Sequence, residues 1–145
     1  MDIINYFNNL LIDEEEIVKE LILIDNKVCN TNMTYDDLIK SINSIKLSEN
    51  DMKKPIDVIT DGEVSSVFYA LLNYNVNINK IHIDSTFLAI NKWLVQRFNE
   101  YFNINIILDD GFNYNYYSND IVIVGDSLFT SELSKMFPGA KEVYM

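Results

Sequence analysis

Four apolar runs in this chain end in aspartate: IDVITD on Asp61, IHID on Asp84, INIILDD on Asp109 and Asp110, and IVIVGD on Asp126. Carboxylates brought together in this way suit a hard divalent cation, because magnesium takes one or two of them and keeps water in the rest of its octahedral shell. In open parallel sheets ligands bind outside the carboxyl ends of the strands, so these acids are expected to share one edge. We expect Asp84, Asp109 and Asp126 to form a weak magnesium site. Gly125 and Ser127, in the turn GDSLFTSEL, are the candidate contacts to a phosphate or nucleotide at the start of the following helix. A local reading competes with the chemical one: Asp61, Ser85 and Ser127 are each suited to capping the helix that follows, and for any single residue capping is the commoner role.

The elements that would position these residues follow from the hydrophobic spacing. After Pro55, short apolar runs alternate with helical ones: PIDVIT with EVSSVFYALLNY, KIHI with TFLAINKWLVQRFNEYF, INIIL with a Tyr-rich loop, DIVIV with LFTSELSKMF, and KEVYM last. Strands alternating with helices require crossover connections and hence a mostly parallel sheet. The expected fold is α/β and three-layered, with about five strands, helices on both faces, and a core at Val58, Ile81, Ile83, Ile106, Ile107, Val122 and Val124. Before Pro55 the spacing is helical, at Ile3, Ile4, Phe7, Leu10 and Leu11, and again at Ile17, Val18, Leu21, Ile22 and Ile24. Asp13 followed by three glutamates reads as a helix start, and Thr34 with Asp37 reads as a capping box opening a third helix. Residues 1–54 are therefore expected to form a helical cap or bundle that is not independent, and residues 55–145 an α/β domain, joined through LSENDMKKP.

Composition bounds the function. The 145 residues suit a single core, and one cysteine, Cys29, cannot form an internal disulfide, which fits a cytoplasmic protein. No stretch approaches a membrane span. The net charge of -11 is spread evenly, with 11 acids and 6 bases before Pro55 and 11 and 5 from there on. A nucleic-acid partner needs clustered Lys and Arg, and the sole arginine is Arg97.

The string IVIVGDSLFTSEL resembles the fourth motif of the haloacid dehalogenase-like phosphohydrolases, in which a strand ends in Gly-Asp. Gly125, Asp126, Leu128, Phe129 and Thr130 match the form of that turn found in small phosphatases. Upstream, IHIDSTF is similar to the family's first motif, with Asp84 and Thr86 on its second Asp and its Thr. Over about residues 78–145 the resemblance implies magnesium-assisted phosphoryl transfer through an aspartyl intermediate. Its nucleophile position holds His82, Ser131 replaces the second acid of the fourth motif, and no lysine stands between Leu108 and Ile121. The resemblance thus implies a degenerate relative, with a remnant magnesium or phosphate edge and a small phosphorylated ligand or protein partner.

Two further classes stay open. The GDSLF turn suits a Rossmann-type nucleotide site, although only Gly125 of its glycines is present. A non-enzymatic interaction module is the other, with Tyr114, Tyr116 and Tyr117 as its contact surface. His82, between Ile81 and Ile83, and Trp93, on an apolar helix face, are read as packing residues.

Overall fold

The alternation after Pro55 produces five strands, β1 (Ile56–Thr60), β2 (Ile78–Ile83), β3 (Ile107–Asp110), β4 (Asp120–Gly125) and β5 (Lys141–Tyr144). They form one sheet in the order β3-β2-β1-β4-β5, with every adjacent pair parallel. The structure, a computed structural model, describes residues 15–47, 53–74, 77–83, 87–110 and 120–145. Five helices accompany the strands: α1 (Glu15–Cys29), α2 (Tyr35–Asn43), α3 (Val64–Tyr74), α4 (Leu88–Phe102) and α5 (Ser127–Met136). No described helix is long and apolar enough to cross a membrane.

Strand β1 is buried at all five positions because it is central and covered on both faces. Ile59 sets its register, lying opposite His82 of β2 and Ile123 of β4. On one face Val58, Ile81, Ile83, Val122 and Val124 pack with α3 and α4. On the other, Ile59 and Ile123 pack with Leu133 and Phe137 from α5 and the turn after it. This is the expected α/β, three-layer arrangement. The expected core positions are buried except Ile107, which is 42% exposed. Ile107 opens β3, an edge strand with a neighbour on one side only. That strand also starts later than INIIL suggests, so Asp109 and Asp110 lie within it and not beyond its end.

Helices α1 and α2 add a layer outside α3 and α4, with α1 against α4 and α2 against α3. Val18, Ile22, Leu38, Ile42 and Ile45 belong to the same apolar cluster as the sheet. Burial of their side chains against α3 and α4, at roughly 1.5–3 kcal/mol for each large apolar group, holds the layer in place. The Thr34 hydroxyl accepts the Asp37 amide at 3.1 Å and the Asp37 carboxylate accepts the Thr34 amide at 3.0 Å, which is the expected capping box of α2. Asn26 closes the loop between the two helices, donating to the Met33 carbonyl at 2.8 Å and accepting the Met33 amide at 3.0 Å. Asn99 does the same after α4, donating to the Ile106 carbonyl at 2.8 Å and accepting its amide at 2.9 Å. Of the expected apolar face of α1, Val18 and Ile22 turn inward, while Ile17 and Ile24 are exposed. The helix expected over Ile3 to Leu11, the acidic start at Asp13 and the tyrosines at 114, 116 and 117 lie outside the described residues.

Candidate functional site

From β1 the chain builds β2 and β3 to one side, then crosses back to build β4 and β5 on the other. The strand order therefore reverses between β1 and β4, and the crevice outside their carboxyl ends is where an open parallel sheet binds ligands. Two turns form its walls.

After β1, Thr60 Oγ1 accepts the Gly62 amide at 3.2 Å and Asp61 Oδ1 accepts the Glu63 amide at 3.1 Å. These short side-chain turns use donors that would otherwise be free at the head of α3. Gly62 has φ of 87°, a conformation costly for any residue with a Cβ, and a Cβ there would stand 2.7 Å from Phe87. The Asn91 amide group ties this turn to the start of α4, donating to the carbonyls of Gly62 and Phe87 at 2.8 Å each.

After β4, Asp126 is the N-cap of α5, with Oδ1 accepting the Phe129 amide at 2.8 Å. Its own amide donates to Asp61 Oδ2 at 3.4 Å, which joins the two strand ends directly. Gly125 lets them meet, since a Cβ on it would lie 2.7 Å from the Phe129 ring and 2.9 Å from Asp61 Oδ2.

The edge is strongly acidic. Burial pushes the Asp61 carboxyl above its ordinary value and the charge of Asp126 pushes it further, while the hydrogen bonds from the Glu63 and Asp126 amides pull the other way. Glu63 is raised as well, first by burial and then by the charges of Asp61 and Asp126. No opposing cation stands among the described residues that line the crevice. An anion meets four carboxylates there, from Asp61, Glu63, Asp126 and Glu132, of which Glu132 pairs with Lys135 at 3.5 Å.

The structure separates the residues expected to act together. Asp126 sits at the switch point with Asp61, while Asp109 lies on β3 with β2 and β1 between them. Three strand spacings of about 4.8 Å put the two acids roughly 14 Å apart along the sheet, too far to share an ion. Asp109 instead faces the buried His82, with Oδ2 3.7 Å from Nδ1. Asp84 lies outside the described residues. Ser127 is the exposed first residue of α5, and Asp126, not Ser127, supplies the cap. Gly125 is engaged in packing, and the amides a phosphate would seek at Glu63 and Phe129 already bond carboxylates. Among the described residues no group of three His, Cys, Asp or Glu side chains could hold a metal ion. Of the carboxylates expected to hold magnesium, this edge brings Asp126 beside Asp61 and leaves Asp109 on β3.

Two spaces open beside the turns. The crevice itself, about 430 Å³, lies over Asp61, Glu63, Asp126 and Glu132, with Phe87 and Phe129 as apolar walls. A second cavity of about 400 Å³ lies between the α1–α2 layer and the β1–α3 turn, and shares Glu63 and Phe87 with the first. Ile22, Met33, Leu38, Val64 and Ile90 give it a mainly apolar lining, and Asp25 adds a second carboxylate. Burial raises Asp25, partly offset by the nearby Ile90 amide. Helix α4 has no side-chain cap of its own at Phe87.

Asp25, Gly62 and Glu63 carry no site role in the sequence reading above. A signal for Asp25 exists: it follows Val18 and Ile22 at helical spacing, which puts a carboxylate on the buried face of α1. Glu63 follows a strand-ending Thr-Asp-Gly, but only the strand order shows that this turn flanks the switch point. No family model, no curated protein and no solved structure matches this chain.

Proposed function

We propose that this chain is a non-catalytic ligand-binding module, which takes a small organic molecule into the cavity between the α1–α2 layer and the carboxyl end of β1. The observation that carries the reading is the cavity: about 400 Å³, mainly apolar, with a few polar groups, beside the switch point of a parallel sheet. Small-molecule sites have that size, that lining and that location. Absence of turnover draws on the positions that the phosphohydrolase resemblance would use. His82 is buried within β2, and Asp126 Oδ1 is occupied by a helix amide.

The test uses 2-phenylethanol as a neutral probe and two-dimensional amide NMR of the full chain. Saturable shifts are expected at Met33, Gly62 to Ser65 and Ile90, and Ser65→Phe or Ser41→Phe, each placing a ring in the cavity, should abolish them. Shifts that map elsewhere, or that persist in both folded variants, overturn the reading. A second reading, a remnant magnesium edge, draws on the adjacency of Asp61 and Asp126. Under it, millimolar magnesium at fixed ionic strength raises the unfolding midpoint; under ours the midpoint stays where it is.

A further inference from the structure

The cavity and the crevice meet at Glu63 and Phe87, which line both. Together they present an apolar body site and an acidic mouth. Asp25 reaches the cavity from α1 and Glu63 from the β1–α3 turn, so its two carboxylates come from separate elements. Asp61, Asp126 and Glu132 stand in the adjoining crevice. Among the described residues lining either space there is no Lys, Arg or His. Asn26 and the hydroxyl residues Thr31, Ser41 and Ser65 complete the polar lining of the cavity.

From this arrangement we infer that the ligand is an amphipathic organic cation, a primary ammonium group on an aromatic or aliphatic body. Its apolar part lies among Ile22, Met33, Leu38 and Phe87, and its ammonium lies between the carboxylates of Asp25 and Glu63. The inference rests on the binding reading proposed above and adds the class of ligand.

The physical argument is one of exclusion and gain. A carboxylate or phosphate ligand would meet the carboxylates of Asp25, Asp61, Glu63 and Asp126, which disfavour it. A neutral ligand gains burial of its apolar surface and nothing from the acids. An ammonium gains the same burial and also relieves the repulsion among the carboxylates. That relief is available because burial and neighbouring charges already disfavour ionised Glu63, and burial disfavours ionised Asp25. An organic ammonium needs only three acceptors, and Asp25, Glu63 and a hydroxyl can supply them. Phe87, shared by both spaces, adds an aromatic face suited to a cation.

The experiment compares three molecules of the same shape, 2-phenylethylammonium, 2-phenylethanol and 3-phenylpropionate, by calorimetric titration of the full chain at fixed ionic strength. Fixed salt keeps general screening of the -11 charge from imitating a site. The amine is expected to bind at least tenfold tighter than the alcohol, and the acid weaker than either. Glu63→Gln should reduce the amine's advantage over the alcohol several-fold. Alcohol or acid binding as tight as the amine overturns the cation inference and leaves the cavity reading standing. No saturable binding by any of the three overturns the cavity reading itself. An unchanged amine-to-alcohol ratio in folded Glu63→Gln places the cation elsewhere and overturns the assignment to this carboxylate.

Discussion

Replacing Asp126 by alanine and by asparagine decides whether the GDSLF turn is a cap or a site. Asp126 Oδ1 accepts the Phe129 amide at 2.8 Å, and among the described residues no other side chain caps α5 at that end. Loss of an N-cap of this kind costs about 1 kcal/mol, within a range of roughly 0.5–2. An opposing contribution exists, because the charge of Asp126 pushes up both Asp61 and Glu63, and removing it relieves that repulsion. Near the surface such relief is worth a few tenths of a kcal/mol, so the cap dominates. Asp126→Ala should therefore lower the stability by about 1 kcal/mol, roughly 3 °C in the unfolding midpoint for a domain of this size. Asp126→Asn keeps a capping oxygen and removes the charge, so its stability should match the wild type or exceed it slightly. Urea and thermal unfolding at fixed ionic strength, each with and without millimolar magnesium, measure both. Equal loss in the two variants would show that charge, not capping, is what the turn needs. A magnesium-dependent gain in the wild type that Asp126→Asn lacks would refute the argument outright and make the turn a cation site.

Three other outcomes are expected. Gly125→Ala places a methyl 2.7 Å from the Phe129 ring and 2.9 Å from Asp61 Oδ2, and should cost about 1–3 kcal/mol by urea unfolding; the cost should shrink in a Phe129→Ala background, and an unchanged cost there would point away from this contact. Asn99→Ala removes both hydrogen bonds to Ile106 and leaves that backbone unpaired in a partly buried loop, for a loss of about 2 kcal/mol; a loss below about 0.5 would mean that the loop holds without the clamp. Burial raises Asp25, Asp61 and Glu63 above their ordinary values of 3.8, 3.8 and 4.5, so the native chain holds these protons more tightly than the unfolded one. Their contribution to stability is complete below those ordinary values and is lost as pH rises through the raised ones, and Asp61→Asn with Glu63→Gln should flatten that decline in unfolding midpoint against pH; an unchanged slope would place its origin in the general charge.

The fold was legible because its signals are local. Runs such as IVIV in β4, apolar on consecutive residues, can only be covered on both faces, and helical spacing between such runs leaves a crossover as the one connection. The Thr34 capping box needed only two residues three apart. The site was less legible because it depends on strand order, which no local pattern carries. Read along the chain, Asp84, Asp109 and Asp126 are successive strand ends, and succession suggests adjacency. In the sheet the neighbour of β4 is β1, the first strand made, so the partner of Asp126 is Asp61, 65 residues earlier.

The same reversal gives meaning to residues that looked ordinary. Asparagine is abundant here, and composition alone assigns it no role, yet Asn26 and Asn99 each clamp the residue seven positions on with the same pair of hydrogen bonds. One clamp holds Met33 at the cavity wall and the other leads the chain from α4 into β3. Asn91 joins α4 to the β1–α3 turn through the Gly62 carbonyl. The cavity is thus enclosed by polar clamps between elements as well as by apolar packing. A ligand that enters it touches α1, α2, α3 and α4 at once, so its binding energy acts on the docking of the N-terminal layer as a whole.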